Sequence, residues 1–95
     1  EAEDNEGRTP IFYAVKDHNM EAISYLGERG ANVNHQDHSG KTPSHYAVED
    51  KWDAIEMLTI LSEFGLVPDT KDNAGMTPED YAASEEIVGF LKTLY

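Results

Sequence analysis

The chain of 95 residues contains no cysteine. That excludes a disulfide framework and a thiolate metal site. It suits a fold that forms without oxidative stapling, so the expected setting is intracellular, cytoplasmic or nuclear. Basic residues are scarce: seven Lys and Arg stand against nineteen Asp and Glu, for a net charge of −12. Such a surface repels phosphate backbones and anionic lipid headgroups, so neither nucleic acid nor membrane is an expected partner. It would instead draw in a basic protein or peptide. No apolar run approaches the ~18–20 residues that span a bilayer. No glycine-rich phosphate loop or nucleophile elbow occurs.

What is present is one phrase repeated three times. Asp4-Asn5-Glu6-Gly7-Arg8-Thr9-Pro10-Ile11-Phe12-Tyr13-Ala14 returns as Asp37-His38-Ser39-Gly40-Lys41-Thr42-Pro43-Ser44-His45-Tyr46-Ala47. It returns again as Asp72-Asn73-Ala74-Gly75-Met76-Thr77-Pro78-Glu79-Asp80-Tyr81-Ala82. The frame is D-x-x-G-x-T-P-x-x-Y-A. Asp4 to Asp37 is a step of 33 and Asp37 to Asp72 a step of 35. Self-similarity at this period means stacked units that share one core, because each alone cannot bury its apolar face.

Each unit carries its own folding signals. Gly7, Gly40 and Gly75 sit where a tight turn wants positive φ. Thr9, Thr42 and Thr77 are placed as helix N-caps whose hydroxyls accept an orphan N–H. Pro10, Pro43 and Pro78 follow at the first helical position, where a missing N–H costs nothing. The expected first helices run over 10–16, 43–50 and 78–83, with Tyr13, Tyr46 and Tyr81 packed inward beside small alanines. The expected second helices run over 20–29, 52–64 and 85–94. Their inward stripes are Ile23 and Leu26; Ile55, Leu58, Leu61 and Phe64; and Ile87, Leu91 and Leu94. Gly30 and Gly65 end the first two as C′ glycines. Extended links lead from each second helix to the next Asp as arms of hairpin-like loops.

These motifs resemble the ankyrin repeat, whose pattern is a β-turn and two antiparallel helices of about 33 residues opened by T-P-L-H-x-A. Gly30-Ala31-Asn32-Val33-Asn34 looks like the family's G-A-D-V-N link. The resemblance covers essentially the whole chain. It implies an all-α, ankyrin-type solenoid of helix-turn-helix repeats joined by β-hairpin-like loops. The single domain, 1–95, divides into repeats of about 4–36, 37–71 and 72–95, with residues 1–3 the tail of a preceding repeat. Departures are specific. Only His45 keeps the family histidine, which Phe12 and Asp80 replace elsewhere. Gly27 stands inside a helix where the family has Leu, which would permit a close backbone approach. The middle repeat has two surplus residues between Ala47 and Leu61, in a longer corner or in a longer helix carrying Trp52.

Chemistry finds little support. His35 and His38 flank Asp37, yet no second ligand pair completes a structural zinc site. Neighbouring acids such as Glu49-Asp50 do not face one another on a helix, and no pocket for acid–base work is evident. The expectation is no enzyme, no catalytic residue, no metal and no cofactor. Trp52, the sole tryptophan, is expected to cover the junction between helices rather than anchor a partner.

The resemblance implies a non-catalytic protein–protein interaction module with a concave binding surface. The alternative is a regulatory or substrate-recruiting segment of a larger enzyme whose catalytic domain lies outside this chain. Family contact positions map to the turn tips Asn5, Glu6, Arg8, His38, Ser39, Lys41, Asn73, Ala74 and Met76. They map also to the helix-side residues Lys16, Asp17, Glu49, Asp50 and Ser84. The expected partner is a protein or peptide with a basic surface.

Overall fold

The computed structural model describes residues 2–94. The expectations for Glu1 and for the last residue of the third repeat lie outside that range. Six helices follow in order: α1 (Pro10–Lys16), α2 (Met20–Glu28), α3 (Pro43–Ala47), α4 (Ala54–Ser62), α5 (Pro78–Tyr81) and α6 (Glu85–Lys92). They form three antiparallel hairpins, α1/α2, α3/α4 and α5/α6, stacked side by side. The described residues contain no strand; between hairpins the chain forms finger-like turns.

The core is continuous along the stack. Ile11, Phe12, Val15, Ile23, Val48, Met57, Leu58, Leu61, Ile87 and Leu91 are all buried in one cluster. Leu26, Ile55, Phe64 and Leu94 pack at its margin. Burial of these faces across hairpins supplies the stability that helices of four to nine residues lack alone.

Gly27 explains its departure from the family. A Cβ there would lie 2.4 Å from the Phe64 ring, so the glycine lets α4 and its C-terminal aromatic seat against α2. At Gly7 and Gly40 two demands coincide. Both have positive φ (79° and 82°), and a Cβ would strike His38 or Asn73 of the next finger at 2.4 and 2.5 Å.

The surplus of the middle repeat is split: α4 starts one residue later after Pro43 than α2 does after Pro10, and one more residue, Phe64, precedes its C′ glycine. The helices α2 and α4 are both nine residues long. By contrast α3 stops at Ala47, well short of Asp50, and α4 begins at Ala54 rather than Trp52. The wider corner is pinned where Asp53 N–H donates to the Asp50 carboxylate. Trp52 sits on this corner and is 82% exposed, so the expectation that it covers the helix junction is corrected. Its ring meets Lys51, 5.4 Å from the centroid. α5 ends at Tyr81, also earlier than expected.

Candidate functional site

The recurrent Asp and Tyr form one device, built three times. Asp4 Oδ1 accepts the N–H groups of Glu6 and Arg8, both at 2.9 Å. Asp37 Oδ1 accepts those of Ser39 and Lys41 at 3.0 Å. Asp72 Oδ1 accepts those of Ala74 and Met76 at 2.9 and 3.0 Å. Each Oδ2 accepts a hydroxyl from the first helix of its own repeat: Tyr13, Tyr46 and Tyr81 in turn. Asp therefore shapes the finger, and Tyr ties the finger to the helix.

The tyrosines consequently do not point into the core. Tyr13 is 42% exposed, and Tyr46 and Tyr81 are half-buried. The hydroxyl must reach the carboxylate at the finger base, which holds the ring on the surface between finger and helix. Hydrogen bonds from Tyr13 and the backbone hold the Asp4 carboxyl down at about 2. Burial works against ionisation of Asp37, but Tyr46, Ser39 and the backbone N–H groups prevail and lower it. Tyr81 is pushed up to about 12, first by its bond to Asp72.

Cations stand among these rings. Arg8 donates to Asp37 Oδ2 (3.5 Å) and Tyr46 Oη (3.3 Å), and its guanidinium carbon lies 5.4 Å from the Tyr46 centroid. Lys41 Nζ lies 5.5 Å from the Tyr46 centroid and 4.7 Å from that of Tyr81. Lys16 Nζ is 5.8 Å from that of Tyr13. At the fingers, then, aromatic rings and cations stand beside exposed acids, with Glu6 3.5 Å from Arg8.

The far end of the first helices carries Asp17, Glu49 and Asp50. A groove of about 260 Å³ is lined by Val15, Lys16, His18, Tyr46, Glu49 and Asp50. Asp17 adjoins it as the C-cap of α1. His18 Nδ1 is 3.0 Å from Asp53 Oδ2, and His18 Nε2 is 3.8 Å from Asp50 Oδ1. Among the described residues this is the one grouping of three metal-capable side chains. The nearest approaches to the two carboxylates use opposite nitrogens of the ring. The ring thus lies between the two acids and faces one through each nitrogen. His35 instead bonds Glu3 (2.9 Å) and Gly7 O (3.1 Å), while His38 is exposed at a finger tip.

The remaining contact candidates fall into two groups. Asn5, Glu6, His38, Ser39, Asn73, Ala74 and Met76 are exposed on fingers, and Lys16, Asp17 and Glu49 are exposed along the helix ends. Arg8, Lys41, Asp50 and Ser84 are half-buried. Ser84 is occupied as the N-cap of α6, its Oγ accepting Ile87 N–H at 3.3 Å. Sequence reasoning missed His18 and Asp53, because only the widened corner brings them together. It missed the Asp–Tyr pairs too, although their constant separation of nine residues was visible.

The helix starts differ between repeats. His45 Nδ1 accepts Thr42 N–H at 3.0 Å in a capping box, and Asp80 Oδ2 accepts Thr77 N–H at 2.9 Å likewise. The side chain reaching back, rather than the threonine hydroxyl alone, is what satisfies this end. Where Phe12 takes that position, Thr9 Oγ1 is buried without a partner. His45 Nε2 also bonds Met76 O of the next repeat at 3.0 Å.

Comparison with known proteins agrees with this architecture. A family model for ankyrin repeats in three copies matches residues 1–72. No curated protein matches the chain. Among solved structures, the ankyrin repeat domain of Bcl-3, described as a unique member of the IkappaB protein family, superposes with a TM-score of 0.86 at 28% identity. The match covers 96% of this chain and 40% of that one. No described helix is long and apolar enough to cross a membrane. Ankyrin repeats serve in general as a protein–protein interaction module, and the fold is typically non-catalytic. With three registered Thr-Pro helix starts and three stacked helical hairpins, the chain belongs to the ankyrin-repeat family.

Proposed function

We propose that this protein is a non-catalytic binding module that docks a protein segment with basic residues across a concave face. The observation that carries the reading is the groove between the ends of α1 and α3, with Glu49 and Asp50 in its lining and Asp17 beside it. The exposed carboxylates of Asp17 and Glu49, with half-buried Asp50 beside them, favour Lys and Arg by charge complementarity. A net charge of −12 extends the attraction beyond contact range. The finger residues Asn5, Glu6, Arg8, His38, Ser39, Lys41, Asn73, Ala74 and Met76 contribute the second edge, with Lys16 between the two.

The test is selection of random twelve-residue peptides on the immobilised domain, followed by anisotropy titration of the winners. Enrichment in Lys and Arg is expected. The triple reversal Asp17→Lys, Glu49→Lys, Asp50→Lys should weaken those peptides about tenfold or more. Binding should also weaken between low and physiological salt. Peptides that bind the reversed variant equally well, or ignore salt, would overturn the electrostatic reading.

A further inference from the structure

The cations along the fingers and first helices differ in what holds them. Arg8 lies 3.5 Å from both Glu6 Oε1 and Asp37 Oδ2, and it donates to Tyr46 Oη at 3.3 Å. Lys16 is exposed to solvent. Lys41 is half-buried, with Nζ 5.5 Å from the Tyr46 centroid and 4.7 Å from that of Tyr81. Among the described residues it forms no ion pair. In a chain of net charge −12 such a cation is the exception. Ring faces attract its charge, yet they bring no oxygen to the three N–H groups of an ammonium. The two hydroxyls are turned away, Tyr46 donating to Asp37 and Tyr81 to Asp72.

The same rings lead from Lys41 to the acids of the groove. Tyr46 lines that groove together with Glu49 and Asp50. Tyr81 is raised to about 12 first by its bond to Asp72, and the nearby Glu49 charge adds to the rise. Along this face the order is therefore acid, aromatic ring, cation.

We propose that Lys41 receives a carboxylate of the docked segment, so that the partner carries one Asp or Glu beside its basic residues. The inference rests on the binding reading above: the bases seat at Asp17, Glu49 and Asp50, and the acid enters between Tyr46 and Tyr81. The spacing follows from the face. Glu49 follows Tyr46 by three residues, about 5 Å on a helical rise, and Lys41 Nζ lies 5.5 Å from the Tyr46 centroid. An extended segment gains about 3.3 Å per residue, so its acid belongs about three residues from its bases. A single negative charge suits the place. Asp37 and Asp72 stand behind the two rings, so a phosphate dianion meets more repulsion there than a carboxylate does.

The test titrates labelled peptides by anisotropy at low salt. Each has an Arg pair in a Gly-Ser background and one Glu placed one to six residues away. With Glu three residues from the pair, binding should be about fivefold tighter than with Gln in its place. Lys41→Gln should remove that preference. Lys41→Glu should reverse it, in favour of a peptide with Lys at the same place. Phosphoserine in place of the Glu should bind no tighter. Equal affinity of the Glu and Gln peptides at every spacing, a Glu preference that survives Lys41→Gln, or a tighter phosphoserine peptide would each overturn the proposal. Replacing the Arg pair by Gln tells this failure from that of the binding reading: if affinity then stays the same, the acidic groove is unused and both fall.

Discussion

The two junctions of the stack are built from different materials. Between the second and third repeats, a buried neutral histidine bonds both its own helix start and the Met76 carbonyl. Ala83 N–H adds a second tie to Val48 O at 3.0 Å. Between the first and second, Phe12 fills the histidine position with an apolar ring packed edge-on to Tyr46 and His35. One tie there is an ion pair, Arg8 to Asp37, beside neutral bonds such as Asn34 Nδ2 to Gly65 O and His38 N–H to Glu6 O. A neutral bond in a dry site is insensitive to ions, whereas a part-buried ion pair is weakly screened. Nearly the same backbone geometry is therefore held with an ion pair at one junction and a histidine–carbonyl bond at the other.

The largest effect should come from a residue on which the middle finger rests. Asp37→Ala removes a buried carboxylate that accepts two N–H groups, a tyrosine hydroxyl and Arg8. A loss of about 3–5 kcal/mol is expected by urea unfolding, because those donors lose a charged acceptor. A cost below 1 kcal/mol would mean that the finger holds its shape without it.

Exchanging the two junction chemistries comes next. His45→Phe should cost about 1–3 kcal/mol by leaving Thr42 N–H buried without its acceptor. Phe12→His gives Thr9 N–H and the Lys41 carbonyl a candidate partner, so it should cost less than His45→Phe. Equal costs would erase the distinction between the junctions.

A smaller effect separates them by ionic strength. Arg8→Met should destabilise by at most about 1 kcal/mol in low salt and by less at 0.5 M. His45→Phe should cost the same at both. The smallest difference is expected in acid, because both junctions rest on the same Asp–Tyr device. Asp4, Asp37 and Asp72 all have lowered folded-state values, so their stabilisation is present above the ordinary carboxylate range. It declines as pH falls below about 4, and the Asp4 share is lost as pH falls through about 2. Phenylalanine in place of Tyr13, Tyr46 and Tyr81 should move acid unfolding to higher pH, read by circular dichroism. An unchanged acid midpoint would disconnect the pairs from pH stability.

Much of the fold was legible because Gly and Thr-Pro act locally. Positive φ at Gly7, Gly40 and Gly75, and Pro at every first-helix start, follow from single-residue sterics. The end of α3 was not legible. Val48, Glu49 and Asp50 carry no stop signal, and the turn is held by a carboxylate that folds back onto Asp53 N–H. The tyrosines misled for a different reason. An aromatic ring in phase with buried alanines reads as core, yet its hydroxyl has a charged partner nine residues upstream that draws it outward. Of the contact candidates, exposure at the fingers could be anticipated. The occupation of Ser84 as a cap, and the meeting of His18 with Asp53, depended on corner lengths that propensity does not set.

The wide corner of the middle repeat has a practical consequence. Its indole already stands in water in the native state, so emission from the only tryptophan should change little when the chain melts. The same placement, between Asp50 and Asp53 in that corner, makes the fluorophore a natural reporter for a ligand arriving at the groove. Quenching or a blue shift on titration would then register occupancy against a background that folding itself barely disturbs.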